Sequence, residues 1–175
     1  LVFIDECFIE LVPDHDESII QFIKKYNNLF ILRSLTKSFA LAGLRIGYGI
    51  GSKQMISVLN KIKIPWNVSG LAQQAASAAL LHSFYLTKVK KMIKKESFYL
   101  INYISKLKNF QCNTTSTNFI LIKTKMKSKT LQKKLLEKKI LIRDCSTIRG
   151  LNNNYIRIAV KTRKENEKLI KALER

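Results

Sequence analysis

The stretch Arg33-Ser34-Leu35-Thr36-Lys37-Ser38-Phe39-Ala40-Leu41-Ala42-Gly43-Leu44-Arg45-Ile46-Gly47-Tyr48 decides the fold. Two hydroxyls, Ser34 and Thr36, precede Lys37, and small residues then lead to Gly43, Arg45 and Gly47. Just upstream, Leu29-Phe30-Ile31-Leu32 is a continuous apolar run of the kind buried in a parallel sheet. α/β proteins place ligands at the carboxyl ends of such strands. Hydroxyls and a guanidinium suit a phosphate, and a lysine amine beside them can act as a nucleophile.

Outward from this stretch, Leu1 to Ile4 reads as a second buried strand, closed by Asp5-Glu6. Pro13 to Asp16 reads as a loop, and Ser18 to about Asn27 as a helix capped by Asp16 or Ser18. Strand, helix and strand make a βαβ unit. Ile46 to Ile50 is a third strand, Lys53 to Ile62 a helix, and Leu71 to Leu81 an Ala-rich helix capped by Ser69 or Asn67. Its small residues suggest close packing on a neighbouring helix or a second subunit. From Phe84 to Lys108 the sequence predicts one long basic helix whose face carries Leu86, Val89, Ile93, Phe98, Ile101, Ile104 and Leu107. Beyond it come a strand at 118–123, a helix at 130–138, strands at 140–142 and 155–160, and a final helix at 164–173. That order describes a small α+β domain.

Composition bounds the function. Hydrophobic residues make up 46% of the 175, which excludes a disordered chain. No apolar run is long enough to span a bilayer and nothing resembles a signal peptide, so no membrane partner and a soluble, cytoplasmic protein are expected. A net charge of +20 invites a nucleic-acid reading. The lysines are spread along the chain and Ile and Asn are also heavily used, as a gene rich in A and T would give, so no specific nucleic-acid partner is expected. Cys7, Cys112 and Cys145 are odd in number and lack metal-ligand spacing, and His15 and His82 stand alone. A structural zinc site is therefore not expected, and reduced thiols are. The chain opens without Met on what reads as the functional end of a strand, so the expectation is the carboxyl-terminal portion of a longer protein.

Two neighbouring parallel strands would bring Asp5 and Lys37 to one edge of the sheet. An ion pair between them is the plain alternative. The richer reading is a cofactor with a cationic ring nitrogen for Asp5, an aldehyde for Lys37, and a phosphate for Ser34, Thr36 and Arg45. Pyridoxal 5'-phosphate has all three, and a protonated ring nitrogen makes its ring an electron sink.

Asp5-Glu6-Cys7-Phe8 followed by Ser34 to Arg45 resembles the fold-type I pyridoxal-phosphate enzymes of the histidinol-phosphate aminotransferase branch. The resemblance runs to the final helix. It implies an α/β fold: residues 1–83 as the carboxyl-terminal part of the cofactor-binding large domain, and 84–175 as a linking helix and a small α+β domain. It implies further that Lys37 bonds the cofactor aldehyde, Asp5 pairs with the pyridine nitrogen, and Ser34, Thr36 and Arg45 hold the phosphate. The complete protein would be a homodimer, as members of the family are.

Ile64 to Ala72, Ile140 to Leu151 and Tyr155 to Val160 are similar to the threonine-phosphate decarboxylases of cobalamin biosynthesis. That similarity implies that Arg157 grips a substrate carboxylate and Arg143 a substrate phosphate, as suits a phosphorylated amino acid. Phe8 stands where histidinol-phosphate aminotransferases usually have Tyr. Thr147-Ile148-Arg149 departs from the Pro-containing approach to Gly150 that the branch would have. Arg149 reads as a phosphate contact or a solvated charge. Trp66 reads as lining the site, lining a subunit seam, or packing in the core. The expected reaction is decarboxylation of threonine O-phosphate. The alternatives are transamination by a histidinol-phosphate aminotransferase or a related class I/II enzyme, and a basic binding module that is catalytically incomplete.

Overall fold

The computed structural model describes residues 1–13 and 17–174. The expected loop at 14–16 and the Asp16 cap lie outside the described residues. The chain divides into two compact units, Leu1–Lys90 and Lys91–Arg175.

The first unit is built on β2 (Leu29–Ser34), the apolar run of the sequence, in which Leu29 and Ile31 are buried. β2 pairs parallel with β1 (Val2–Asp5) and antiparallel with β3 (Gly47–Gly51), giving a mixed sheet of order β1-β2-β3. The expected burial of β1 is not found. Leu1 is 86% and Phe3 56% exposed. Among the described residues β1 lies at the sheet edge with β2 as its one strand neighbour, and Phe3 stacks on Phe30, with ring centroids 5.5 Å apart.

The helix expected from Ser18 is also absent. Among the described residues of the β1–β2 connection there are only 3-10 turns, Ile9–Leu11 and Ile20–Phe22, with further turns before β2. The Ser18 hydroxyl, read as a cap, donates to the Glu6 carboxylate, at 2.9 and 3.1 Å from its two oxygens, while accepting from the Ile20 N–H at 3.3 Å.

After β2 the chain makes one helical turn, α1 (Leu35–Ser38), and a 3-10 turn at Ala42–Leu44. α2 (Lys53–Ile62) is capped by Ser52, and α3 (Gly70–Leu81) by Ser69, whose hydroxyl accepts from the Ala72 N–H at 3.2 Å. The small residues of α3 serve packing: Ala72 and Ala76 form one buried cluster with Leu35 and Ile46. Trp66 is 97% exposed among the described residues.

α4 (Tyr85–Ile104) crosses the boundary between the units. Its buried apolar positions in the second unit are Ile93, Leu100 and Ile104. Phe98, expected on that face, is 68% exposed. The buried stripe runs through Ile93, Ser97, Leu100 and Ile104, and Phe98 falls outside it. The second unit holds an antiparallel sheet of order β4-β5-β7-β6, from β4 (Phe110–Cys112), β5 (Phe119–Thr124), β6 (Arg143–Asp144) and β7 (Tyr155–Ala159). Alternate residues Ile120, Ile122, Ile156 and Ile158 are buried, and α5 (Ser128–Glu137) and α6 (Arg163–Leu173) add Leu131, Leu135, Leu169 and Ile170 to their cluster.

β4 was not anticipated, and the strand expected at 140–142 does not form. Lys139 takes a left-handed conformation (φ 58°), and the Ile140 N–H returns to the Leu135 carbonyl at 2.9 Å. The chain is closing helix α5 there, so those donors are unavailable to a sheet. The strand that forms is confined to Arg143–Asp144.

Candidate active site

Asp5 ends β1 and Leu32 is its register partner on β2, so the carboxylate and the residues after β2 emerge at one edge of the sheet. Asp5 is exposed, not buried as the sequence suggested. Its Oδ1 accepts from the Cys7 backbone N–H at 2.9 Å. The Cys7 thiol and this N–H hold the Asp5 carboxyl below its ordinary range against a small burial effect, and the charge of Lys37 adds to them. Burial and the same carboxylate push the Cys7 thiol up to about 11, so it remains a protonated donor at neutral pH.

Ser34 is both the last residue of β2 and the N-cap of α1. Its hydroxyl lies 2.8 Å from that of Thr36 and accepts from the Thr36 N–H at 3.3 Å. Two hydroxyls are thereby gathered within one turn. Lys37, on that turn, is exposed, with Nζ 5.3 Å from the centre of the Phe8 ring. Among the described residues Lys37 and Asp5 form no direct ion pair, so the plain alternative for these two residues is not what the structure has.

Arg45 closes the loop after α1 in a left-handed conformation (φ 51°, ψ 51°). Its Nη1 donates to the Ala42 carbonyl at 2.8 Å, and the side chain is otherwise exposed. Two residues later Gly47 pairs with Ser34 across the sheet. A Cβ on Gly47 would lie 2.5 Å from the Arg33 carbonyl oxygen, so only glycine permits this pairing.

In the second unit Arg143 and Arg157 are register partners of β6 and β7, and both are exposed. The Arg157 guanidinium lies 4.9 Å from the centre of the Phe119 ring. Among the described residues neither arginine has a carboxylate in ion-pair contact. Arg149 is exposed in the turn before Gly150.

Of the seven residues singled out in the sequence, the first unit gathers Asp5, Ser34, Thr36 and Lys37 at one sheet edge, with Arg45 on the loop that leads to the partner of Ser34. The second unit sets Arg143 opposite Arg157. Sequence reasoning passed over Glu6, Glu10 and Tyr48, which lie directly behind the Lys37 turn. The available signal was Glu6 itself: a second carboxylate closing an apolar run needs a partner, and Arg33 is the one cation inside the next apolar strand.

Known proteins resemble this chain along nearly its whole length. A threonine-phosphate decarboxylase, so named provisionally, from Caldanaerobacter subterraneus subsp. tengcongensis is 36% identical over 174 residues, 98% of this chain and 47% of that protein. The crystal structure of the histidinol-phosphate aminotransferase from Clostridium acetobutylicum superposes with a TM-score of 0.92 at 34% identity, over 98% of this chain and 52% of that one. That of L-threonine-O-3-phosphate decarboxylase from Porphyromonas gingivalis gives 0.90 at 29% identity, over 98% and 53%. The chain spans about half the length of the curated relatives it matches. A family model described as aminotransferase class I and II matches residues 1–173, and the chain belongs to that family, with its fold-type I α/β architecture.

Proposed function

We propose that this chain carries the lysine and the ring-nitrogen partner of a pyridoxal 5'-phosphate site, in a protein that decarboxylates L-threonine O-3-phosphate to aminopropanol phosphate for cobalamin biosynthesis. In this reading residues 1–83 belong to the cofactor-binding large domain and 84–175 to the linking helix and small domain. The complete protein acts as a cytoplasmic homodimer without a specific nucleic-acid or membrane partner.

The residues suit the cofactor by their own chemistry. Asp5, kept ionised by Cys7, pairs with a protonated ring nitrogen. Ser34 and Thr36 offer two hydroxyls 2.8 Å apart, and Arg45 an exposed guanidinium, for the phosphate. Lys37 is exposed and without a carboxylate partner among the described residues, so its amine is open to an aldehyde. When bound, pyridoxal phosphate supplies the electron sink for the pair left at the substrate α-carbon. Arg157 holds the substrate carboxylate until it departs as CO2, and Arg143 holds the phosphate. Lys37 Nζ then returns a proton to the α-carbon.

Phe8 supports the decarboxylase reading. Its ring sits beside Lys37 Nζ, at 5.3 Å, at the position where histidinol-phosphate aminotransferases usually have Tyr. A phenyl ring has no donor for the cofactor's ring oxygen, and Phe is what the decarboxylases resemble here. The second reading, a histidinol-phosphate aminotransferase, is favoured by the close fold match to the Clostridium acetobutylicum enzyme.

The deciding assay takes the protein from its complete reading frame. Release of CO2 with formation of aminopropanol phosphate from threonine phosphate is the expected result. Glutamate formed from histidinol phosphate and 2-oxoglutarate, with no CO2 from threonine phosphate, would establish the second reading instead.

A further inference from the structure

Behind Asp5, Ser34 and Lys37 runs a set of hydrogen bonds that leaves their side chains free and meets Ser34 only at its backbone carbonyl, which accepts from the Ser38 hydroxyl at 3.4 Å. Glu6, the residue after Asp5, is buried. Its Oε2 accepts from Arg33 Nε at 3.1 Å and Nη2 at 2.9 Å, and its Oε1 from the Ile19 N–H at 2.9 Å. The Ser18 hydroxyl donates to Glu6 and accepts from Arg33 Nη2 at 2.8 Å. Arg33 is the residue before Ser34. Its register partner on β3 is Tyr48. The Tyr48 hydroxyl donates to Glu10 Oε1 at 3.0 Å. Glu10 Oε2 accepts from the hydroxyl of Ser38, the residue after Lys37, at 2.5 Å.

The set therefore has an anchor adjacent in sequence to three of the proposed ligands: Glu6 to Asp5, Arg33 to Ser34, Ser38 to Lys37. Stability alone is a poor account of it. A buried ion pair is often matched or exceeded in stability by apolar residues of similar volume, because desolvating the charges is costly. What a fully bonded pair does supply is geometry, since each lone pair and N–H fixes the direction of a backbone segment.

We infer that Glu6 and Glu10 are positioning residues: Glu6, through Arg33, fixes the Asp5 carboxylate relative to the Ser34 hydroxyl, and Glu10, through Ser38, fixes the turn that carries Lys37. This rests on the reading of Asp5, Ser34 and Lys37 as cofactor ligands.

The test uses the full-length protein as wild type, Glu6→Gln and Glu10→Gln. Folding is followed by circular dichroism, pyridoxal phosphate affinity by titration, and the bound cofactor by the pH midpoint of its visible absorbance. Both variants fold, each binds the cofactor about tenfold more weakly, as loss of one charge-assisted hydrogen bond implies, and each shifts the absorbance midpoint. A role in stability alone would leave that midpoint in place. Should Glu6→Gln not fold, the half-buried Glu10→Gln carries the test. Folded variants with wild-type affinity and midpoint overturn the inference. Wild-type protein that takes up no pyridoxal phosphate overturns the cofactor reading, and this inference with it.

Discussion

Arg143 on β6 stands directly opposite Arg157 on β7, two like charges in register on adjacent antiparallel strands. Opposed like charges cost a sheet stability, and no carboxylate among the described residues is in ion-pair contact with either. Under the proposed function the cost is offset when a dianionic substrate binds. Arg143→Gln should leave the unliganded protein as stable or more stable, by up to about 1 kcal/mol in urea titration. It should also raise KM for threonine phosphate by about 10- to 100-fold. Unchanged KM with unchanged stability would mean that the pair is a surface feature.

Lys37 is exposed, with its amine 5.3 Å from the centre of the Phe8 ring and in no ion pair among the described residues. Lys37→Ala should therefore change stability by less than about 0.5 kcal/mol. The same variant should show no visible absorbance from covalently held pyridoxal phosphate. Absorbance that persists in the variant would remove Lys37 from the role proposed for it.

Gly47 joins Ser34 to β3 at a distance no side chain tolerates, since a Cβ would meet the Arg33 carbonyl oxygen at 2.5 Å. That oxygen belongs to backbone and cannot swing away. Gly47→Ala should destabilise the protein by about 1–3 kcal/mol, as overpacking does. Because the strain falls on Ser34 and on the approach to Arg45, cofactor affinity should fall as well. A melting curve and a pyridoxal phosphate titration on the same preparation check both outcomes.

In the second unit Glu96 is buried and receives Arg163 Nε and Nη2 at 3.0–3.2 Å and Asn166 Nδ2 at 3.0 Å. Burial pushes its carboxyl up, but these hydrogen bonds outweigh burial and hold it below the usual range. A carboxyl whose folded value lies below its unfolded one, about 4.3, stabilises the fold above that pH. The contribution is lost as pH falls through the folded value. Melting temperature should thus drop steeply below about pH 4. Glu96→Gln should cost about 2 kcal/mol at pH 7 and flatten the acid limb. An acid limb equally steep in the variant would assign it to other carboxylates.

The sequence alone determined the features that are local along the chain. The apolar run Leu29–Leu32, the serine caps at Ser52 and Ser69, and the spacing of Ser34, Thr36, Lys37 and Arg45 all lie within a few residues of what they organise. Periodicity and capping act over one or two turns, so they are readable without the fold. The tertiary structure decided what depends on partners distant in sequence. The irregular connection in place of the helix from Ser18 and the shortening of the strand at 140–144 to Arg143–Asp144 follow from where hydrogen-bond donors and acceptors find partners. So does the opposition of Arg143 to Arg157, which a shift of one residue in register would undo. The bonds from Glu6 to Arg33 and from Glu10 to Ser38 close over 27 and 28 residues. Burial of a carboxylate is set by the whole assembly around it, and no window of sequence contains that information.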